Sequence, residues 1–454
     1  MIRDHEKEGH FSLLPALLAS IVILNMGISS SGVVGDYQPD GKKRQAVITG
    51  IGVVSPLGIG IDPFWTSLIA GETGVDEISL FDASSFPGRL AAEVKDFHPE
   101  HYLSKKTLRP LSRQSQMAAV GYLLALQDAN LKPEELNGLT DVIIGSAEGS
   151  YALVEQQFAN HPVLLTKYEK GLADPFTLLK GVIIGPMLAI ARLSGAKGYT
   201  TTVSSACTSG VNAVGLAAQR IEDGRSRCAI AGGVDCPIFA SMVTGFTEAR
   251  ITTTSNNPND LKPYDRNRTR YALAEGAGIF IVEDAEYARA RGARIYARIS
   301  GWAQGTENHN DIFSLDTSGE AWAATIRSAI EGKTLKTRGL YVSGHGPSDK
   351  YIDAAEVNAI QKALGPKSKA LKISSIKAAT GNGFASAGAF QVAAAAKTIE
   401  TGTIPPTRNF QKADPDNKLK VIFKSLFRKP VRQVIVNSHG LGSVNSVLLM
   451  ERHT

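Results

Sequence analysis

The stretch Thr202-Val203-Ser204-Ser205-Ala206-Cys207-Thr208-Ser209-Gly210 sets one cysteine among small residues. Val211, Ala213, Val214, Leu216, Ala217, Ala218 and Ile221 follow at helical spacing, and that pattern stops near Asp223-Gly224. A cysteine at a strand-to-helix turn faces the positive end of the helix dipole, which favours the thiolate and therefore a nucleophile. Its small neighbours leave room for a bulky acyl group and for close backbone donors. A buried structural cysteine that merely opens a helix reads the same residues equally well, because free cysteine is among the most buried residue types.

Elements that would position such a group recur along the chain. Residues 45–58 read as a buried strand running into a glycine-rich loop, and 64–70 and 111–129 as helices. Residues 141–145 and 228–232 are short apolar strands. A second series echoes the first: strand 297–301, helix 320–331, strand 339–344 ending at His345, then strands 371–374 and 434–437. Alternating helices and strands predict an α/β architecture. The echo predicts two similar halves, 45–290 and 291–454, whose loops meet at one central site.

Composition excludes several classes. A chain of 454 residues with 43% hydrophobic and 20% charged residues builds an ample core as a globular enzyme. The excess of Lys and Arg over Asp and Glu, 49 against 43, is spread along the chain and forms no stripe suited to nucleic acid. Cys207, Cys228 and Cys236 are odd in number and lack histidines at metal-ligand spacing, which argues against disulfides and zinc and for a reducing, cytoplasmic setting. Residues 1–44 stand apart. Their apolar run, 11–28, is borderline for a membrane span and is interrupted by Pro15 and Asn25. A non-native extension, a retained membrane anchor and a cleaved signal all remain open for it.

Five segments add chemistry in a fixed order after the opening TGIGVVSPLG: the Cys207 segment, 263–278 (PYDRNRTRYALAEGAG), 344–356 (GHGPSDKYIDAAE), 374–388 (SSIKAATGNGFASAG) and 437–445 (NSHGLGSVN). Together they resemble the elongating β-ketoacyl-acyl-carrier-protein synthases, type II-like condensing enzymes of the thiolase fold, over residues 45 to about 452. The resemblance implies a five-layered α-β-α-β-α fold and a decarboxylative Claisen condensation. An acyl group passes to Cys207, and the enolate of a malonyl-type extender attacks the resulting thioester. It assigns the backbone N–H groups of Cys207 and Leu441 to an oxyanion hole. His345 becomes the donor to the extender carbonyl, where a simple turn histidine is the plainer reading. Lys377 and Glu356, with Asp353, become supporting groups, with Lys377 and Glu356 expected as a buried pair and a structural monovalent cation beside Glu356. Arg250 matches an arginine that docks the carrier protein. No cofactor is implied beyond the phosphopantetheine arm that the carrier protein brings. The implied assembly is a homodimer or a heterodimer with a related synthase.

The sequence also departs from that pattern. Thr380-Gly381-Asn382 stands where the family carries its second catalytic histidine, so the predicted triad is Cys207, His345 and Asn382. Asparagine keeps an N–H donor for an enolate oxygen but neither takes nor gives a proton. Pro347 and Asp349 replace the paired threonines that hold the pantetheine arm, Leu441 replaces an aromatic gate, and Arg270 replaces a glycine before Tyr271. These changes predict an unusual acyl chain or carrier protein. Three rivals compete with the condensing enzyme: a non-catalytic, chain-length-factor-like partner subunit, a degradative thiolase, and a membrane-tethered scaffold. The thiolase needs another cysteine in 437–445, which has none.

Overall fold

The computed structural model describes residues 44–453 except 137–139, 151–154, 156–165, 167–169, 171–173, 308–314, 337 and 428–429. The apolar run at 11–28 lies outside the described residues. Among those described, no helix is long and apolar enough to cross a membrane.

The principal strands in the first half are β1 (Ala46–Ser55), β2 (Asp141–Gly145), β3 (Thr200–Val203), β4 (Cys228–Asp235) and β5 (Gly276–Asp284). Those in the second are β6 (Ala297–Thr306), β7 (Leu340–Ser343), β8 (Lys372–Ser374), β9 (Gln433–Gly440) and β10 (Val444–Glu451). The spatial order is β1-β5-β4-β2-β3 in one half and β6-β10-β9-β7-β8 in the other. In each half the first strand pairs antiparallel with the fifth and the fifth antiparallel with the fourth, while the remaining two pairings are parallel. Chain order and strand direction therefore repeat position by position, as the sequence echo predicts. The half-sheets also meet edge to edge, where β1 pairs with β6 from Ala46↔Ile299 to Ile48↔Ala297.

Helices complete five layers. α1 (Arg113–Asp128) and α2 (Gly185–Ser194) cover the outer face of the first half, and α4 (Glu320–Ile330) with α5 (Lys350–Leu364) covers that of the second. Between the sheets lie α3 (Ser209–Glu222), which follows Cys207, and α6 (Ala385–Thr401). Both central helices have sheet on two sides, and α6 lacks the one-sided apolar stripe of a surface helix. α6 is instead rich in alanine and is buried from Ala385 to Ile399. Small residues let it approach closely: a Cβ on Gly210 or on Gly233 would lie 2.2 or 2.3 Å from the Ala385 carbonyl oxygen.

The contact at Gly210 holds the starts of α3 and α6 together beneath Cys207. Gly210→Ala forces backbone apart in a packed layer, and overpacking of this kind costs about 1–3 kcal/mol. Chemical denaturation of the variant is expected to show a loss of that size. An unchanged midpoint contradicts the packing.

Candidate active site

Cys207 sits in a sharp turn between β3 and α3, with Ala206 held at φ 52°. A non-glycine residue in that region persists only where its surroundings fix it. Ser209 Oγ accepts the Ser205 N–H at 2.8 Å and donates to the Ala206 carbonyl at 2.6 Å, while Thr208 Oγ1 donates to the Ser205 carbonyl at 2.6 Å. Asn212 Nδ2 donates to Ser205 Oγ at 2.8 Å, and Asn212 Oδ1 accepts the Trp302 indole N–H at 3.2 Å. That last bond ties the turn to β6 in the other half. The β9–β10 hairpin closes over the same turn. A Cβ on Gly440 would lie 3.1 Å from the Cys207 nitrogen, and the Leu441 N–H reaches the Cys207 sulfur.

His345 follows β7 and is buried at 2% exposure. Its Nδ1 accepts the His439 backbone N–H at 3.2 Å and faces Lys377 Nζ at 3.1 Å. Two donors at Nδ1 place the ring proton on Nε2, so the imidazole is a hydrogen-bond donor. Burial, followed by the charge of Lys377 and the neighbouring His439, pushes its pKa well below the usual range and keeps it neutral. Lys377 spends its other two N–H groups on the His345 carbonyl at 2.6 Å and on Gln391 Oε1 at 3.2 Å. Burial lowers Lys377 to about 8, against the upward pull of Glu356, Cys207 and Asp353.

Glu356 anchors this loop. Its Oε1 accepts His345 N–H at 2.8 Å and Asn437 Nδ2 at 3.1 Å; its Oε2 accepts Gly346 N–H and Tyr264 OH, both at 2.8 Å. Those four donors fill the lone pairs of a carboxylate. Lys377 and Glu356 feel each other's charge but form no direct ion pair among the described residues. Instead, each grips the His345 backbone, Glu356 from the N–H and Lys377 from the carbonyl. Asp353 accepts the Tyr264 N–H at 2.7 Å and lies 3.5 Å from Arg268 Nε, while burial raises it to about 8. α5 begins at Lys350, where Asp349 caps it through the N–H groups of Tyr351 and Ile352. Asp349 is therefore committed in part to a helix end.

Asn382 completes the group. Its Nδ2 lies 3.9 Å from Cys207 Sγ, and its Oδ1 has no partner among the described residues. The Asn382 N–H and carbonyl bond to Ala272 and Ala274 at 2.9 and 3.1 Å, which fixes the backbone. Cys207, His345, Asn382 and Leu441 all line one cavity of about 730 Å³. Arg250 is exposed and lines it too, near Arg270 and Tyr351. Lys377, Glu356 and Asp353 lie behind it. Sequence reasoning left several groups without a role: His439, which bonds Glu307 at 3.2 Å and packs 5.0 Å from the Trp322 ring, Gln391, Tyr264 and Glu148. Tyr264 and His439 lie inside quoted motifs and so carried a local signal; Gln391 and Glu148 lie outside them.

Burial overturns one expectation. It pushes the Cys207 thiol up to about 11, and the pull of Lys377, Asn382 and the Leu441 N–H does not offset it. The α3 dipole contributes about 0.3–1 kcal/mol, less than one pKa unit. The resting group is a thiol rather than the thiolate that its place ahead of α3 suggests.

Two matching α/β halves that close over such a cysteine form the thiolase-like fold of the acyl-transferring condensing enzymes. The β-ketoacyl synthase N-terminal domain profile matches residues 43–288, and the C-terminal domain profile matches 296–411. The chain is 32% identical over 416 residues to 3-oxoacyl-[acyl-carrier-protein] synthase 2 of Coxiella burnetii, covering 90% of this chain and 99% of that protein. It is 34% identical over 413 residues to the oxytetracycline polyketide putative beta-ketoacyl synthase 1 of Streptomyces rimosus, covering 90% and 97%. A solved complex of a type II polyketide acyl-carrier protein with its ketosynthase, bound to the hexaketide, superposes with TM-score 0.81 at 28% identity, covering 91% of this chain and 100% of that one. The chain belongs to the β-ketoacyl synthase family. It is an acyltransferase, and its reaction is the family's decarboxylative condensation.

Alkylation tests the state of the thiol. Below a pKa near 11 the thiolate fraction grows with pH, so iodoacetamide labelling of Cys207, located by peptide mass spectrometry, should climb at least tenfold from pH 7 to 9. A plateau reached below pH 8 contradicts a protonated resting thiol.

Proposed function

We propose that this chain acts as a cytoplasmic homodimer that condenses an acyl group held on Cys207 with a malonyl extender delivered by an acyl carrier protein. The observation that carries the reading is the meeting of Cys207 Sγ with Asn382 Nδ2 at 3.9 Å, in a cavity that His345 also lines as a neutral donor. In the first half-reaction Cys207 Sγ attacks the thioester carbon of the incoming acyl carrier. The backbone N–H groups of Cys207 and Leu441 hold the oxyanion, the pantetheine thiolate leaves, and the cysteine proton goes to it. Keeping the thiol protonated until substrate arrives suppresses side reactions of a free thiolate.

In the second half-reaction the malonyl thioester loses carbon dioxide, and negative charge moves onto its carbonyl oxygen. His345 Nε2–H and Asn382 Nδ2–H stabilise that enolate oxygen as donors. The enolate carbon attacks the acyl thioester, a 3-oxoacyl carrier protein departs, and the released Cys207 thiolate takes a proton from solvent. Neither donor needs to exchange a proton, so asparagine serves where the family carries histidine. Lys377 positions the imidazole by fixing Nδ1 as acceptor. Exposed Arg250 at the cavity is the docking contact for an acidic carrier protein. A silent partner subunit has no use for a nucleophile, and Cys207 is present in a formed cavity.

His345→Ala and Asn382→Ala each remove one donor, which in comparable sites costs about 10²–10³ in rate. Both variants are expected to lose 3-oxoacyl product by that factor while Cys207 still takes up the acyl group. Loss of acylation in step with product contradicts the division of roles. Asn382→His should change turnover less than tenfold, and a hundredfold gain would instead mark a decayed site.

A further inference from the structure

The cavity wall beside Cys207 includes Met242, Phe246, Ile251 and Phe384, with the two phenylalanine rings 5.3 Å apart. Two carboxyls share that lining: Asp349, whose side chain caps a helix through the Tyr351 and Ile352 N–H groups, and Glu148. Glu148 Oε1 accepts the Cys236 N–H at 3.1 Å, and its Oε2 is buried without a hydrogen-bond partner among the described residues. Asp235 lies close enough for its charge to act on Glu148. It accepts Ser146 Oγ at 2.9 Å, Gln114 Nε2 at 3.1 Å, and the N–H groups of Ala147 and Ala385 at 3.0 and 2.9 Å. Donors stabilise an ionised carboxylate, and two neighbouring carboxyls do not both ionise in a desolvated setting. Asp235 has the donors, so Glu148 keeps the proton. Burial first, then the charge of Asp235, pushes Glu148 well above the usual carboxylate range. The result is an O–H donor that no acceptor among the described residues satisfies, on the wall of the cavity that holds the acyl chain. Such a group is expensive against a hydrocarbon and is satisfied by an oxygen.

We propose that Glu148 is a specificity residue whose carboxyl donates a hydrogen bond to an oxygen carried along the acyl chain, selecting keto- or hydroxyl-bearing chains over fully reduced alkyl chains. This inference rests on the reading of the cavity as the acyl site. It gives a physical basis to the unusual acyl chain expected from the altered gate and arm positions.

The test uses the full chain with N-acetylcysteamine thioesters of octanoate and of octanoates bearing an oxo or hydroxyl group at positions 5 or 7. Intact-protein mass spectrometry follows the rate of Cys207 acylation. At least one oxygenated chain is expected to load about tenfold faster than octanoyl, and comparison of the oxo and hydroxyl chains identifies which oxygen is read. In Glu148→Leu that preference should vanish and octanoyl should load faster than in the parent. Glu148→Gln keeps an N–H donor and should retain part of the preference, which separates lost recognition from lost folding. Equal loading of all chains by the parent, or a preference that survives in Glu148→Leu, overturns the proposal. Absence of every adduct while iodoacetamide still labels Cys207 defeats the acyl-site reading itself.

Discussion

A carboxylate removed from water must take its hydrogen bonds from protein, and Glu356 takes four. The donors come from the loop after β7, from β9 and from Tyr264, so satisfying one buried charge fixes three segments around His345. Removing any donor leaves part of a desolvated carboxylate unpaired, at a cost of kilocalories rather than tenths. That penalty explains the close packing around it. A Cβ on Gly344 would lie 1.9 Å from the Tyr264 hydroxyl oxygen, so only glycine lets the tyrosine reach Glu356. Lys377 completes the clamp from the carbonyl side and sets the imidazole tautomer.

The same dryness governs the chemistry. Burial moves Cys207 up, Lys377 down and His345 down, each toward its neutral form. A site that disfavours charge at rest gains most from donors aimed where charge develops, because in a water-free setting those donors need no reorganisation. Asn382, with one N–H directed at the sulfur and an idle carbonyl oxygen, fits a donor role and no proton-transfer role. Glu148 follows the same rule on the acyl side of the cavity, where a neutral carboxyl replaces a hydrocarbon wall.

Much of this was legible in the sequence because its parts are local. Short glycine-flanked turns announce Cys207, His345 and the Gly440–Gly442 hairpin, and strand patterns fall close to the observed elements. The repeat of order in the two halves was visible from the same patterns. Tertiary effects were not visible. The strand Val444–Glu451 is buried along nearly its whole length, polar Asn445 and Ser446 included, and hid behind the glycine turn, and α6 shows no stripe because it is buried on all sides. The protonated thiol, the saturated Glu356 and the orphaned Glu148 oxygen each depend on which groups the fold brings together. No spacing in the chain reports that.

The central claim is that Cys207 carries an acyl intermediate which a malonyl extender discharges. Intact-protein mass spectrometry tests it most directly, with acyl carrier protein bearing a short acyl chain as donor and Cys207→Ala as control. The account predicts an acyl adduct on the parent protein and none on the variant. It also predicts that malonyl carrier protein removes the adduct as 3-oxoacyl product appears. Absence of an adduct across several carriers and chain lengths, or an adduct that persists in Cys207→Ala, would contradict it.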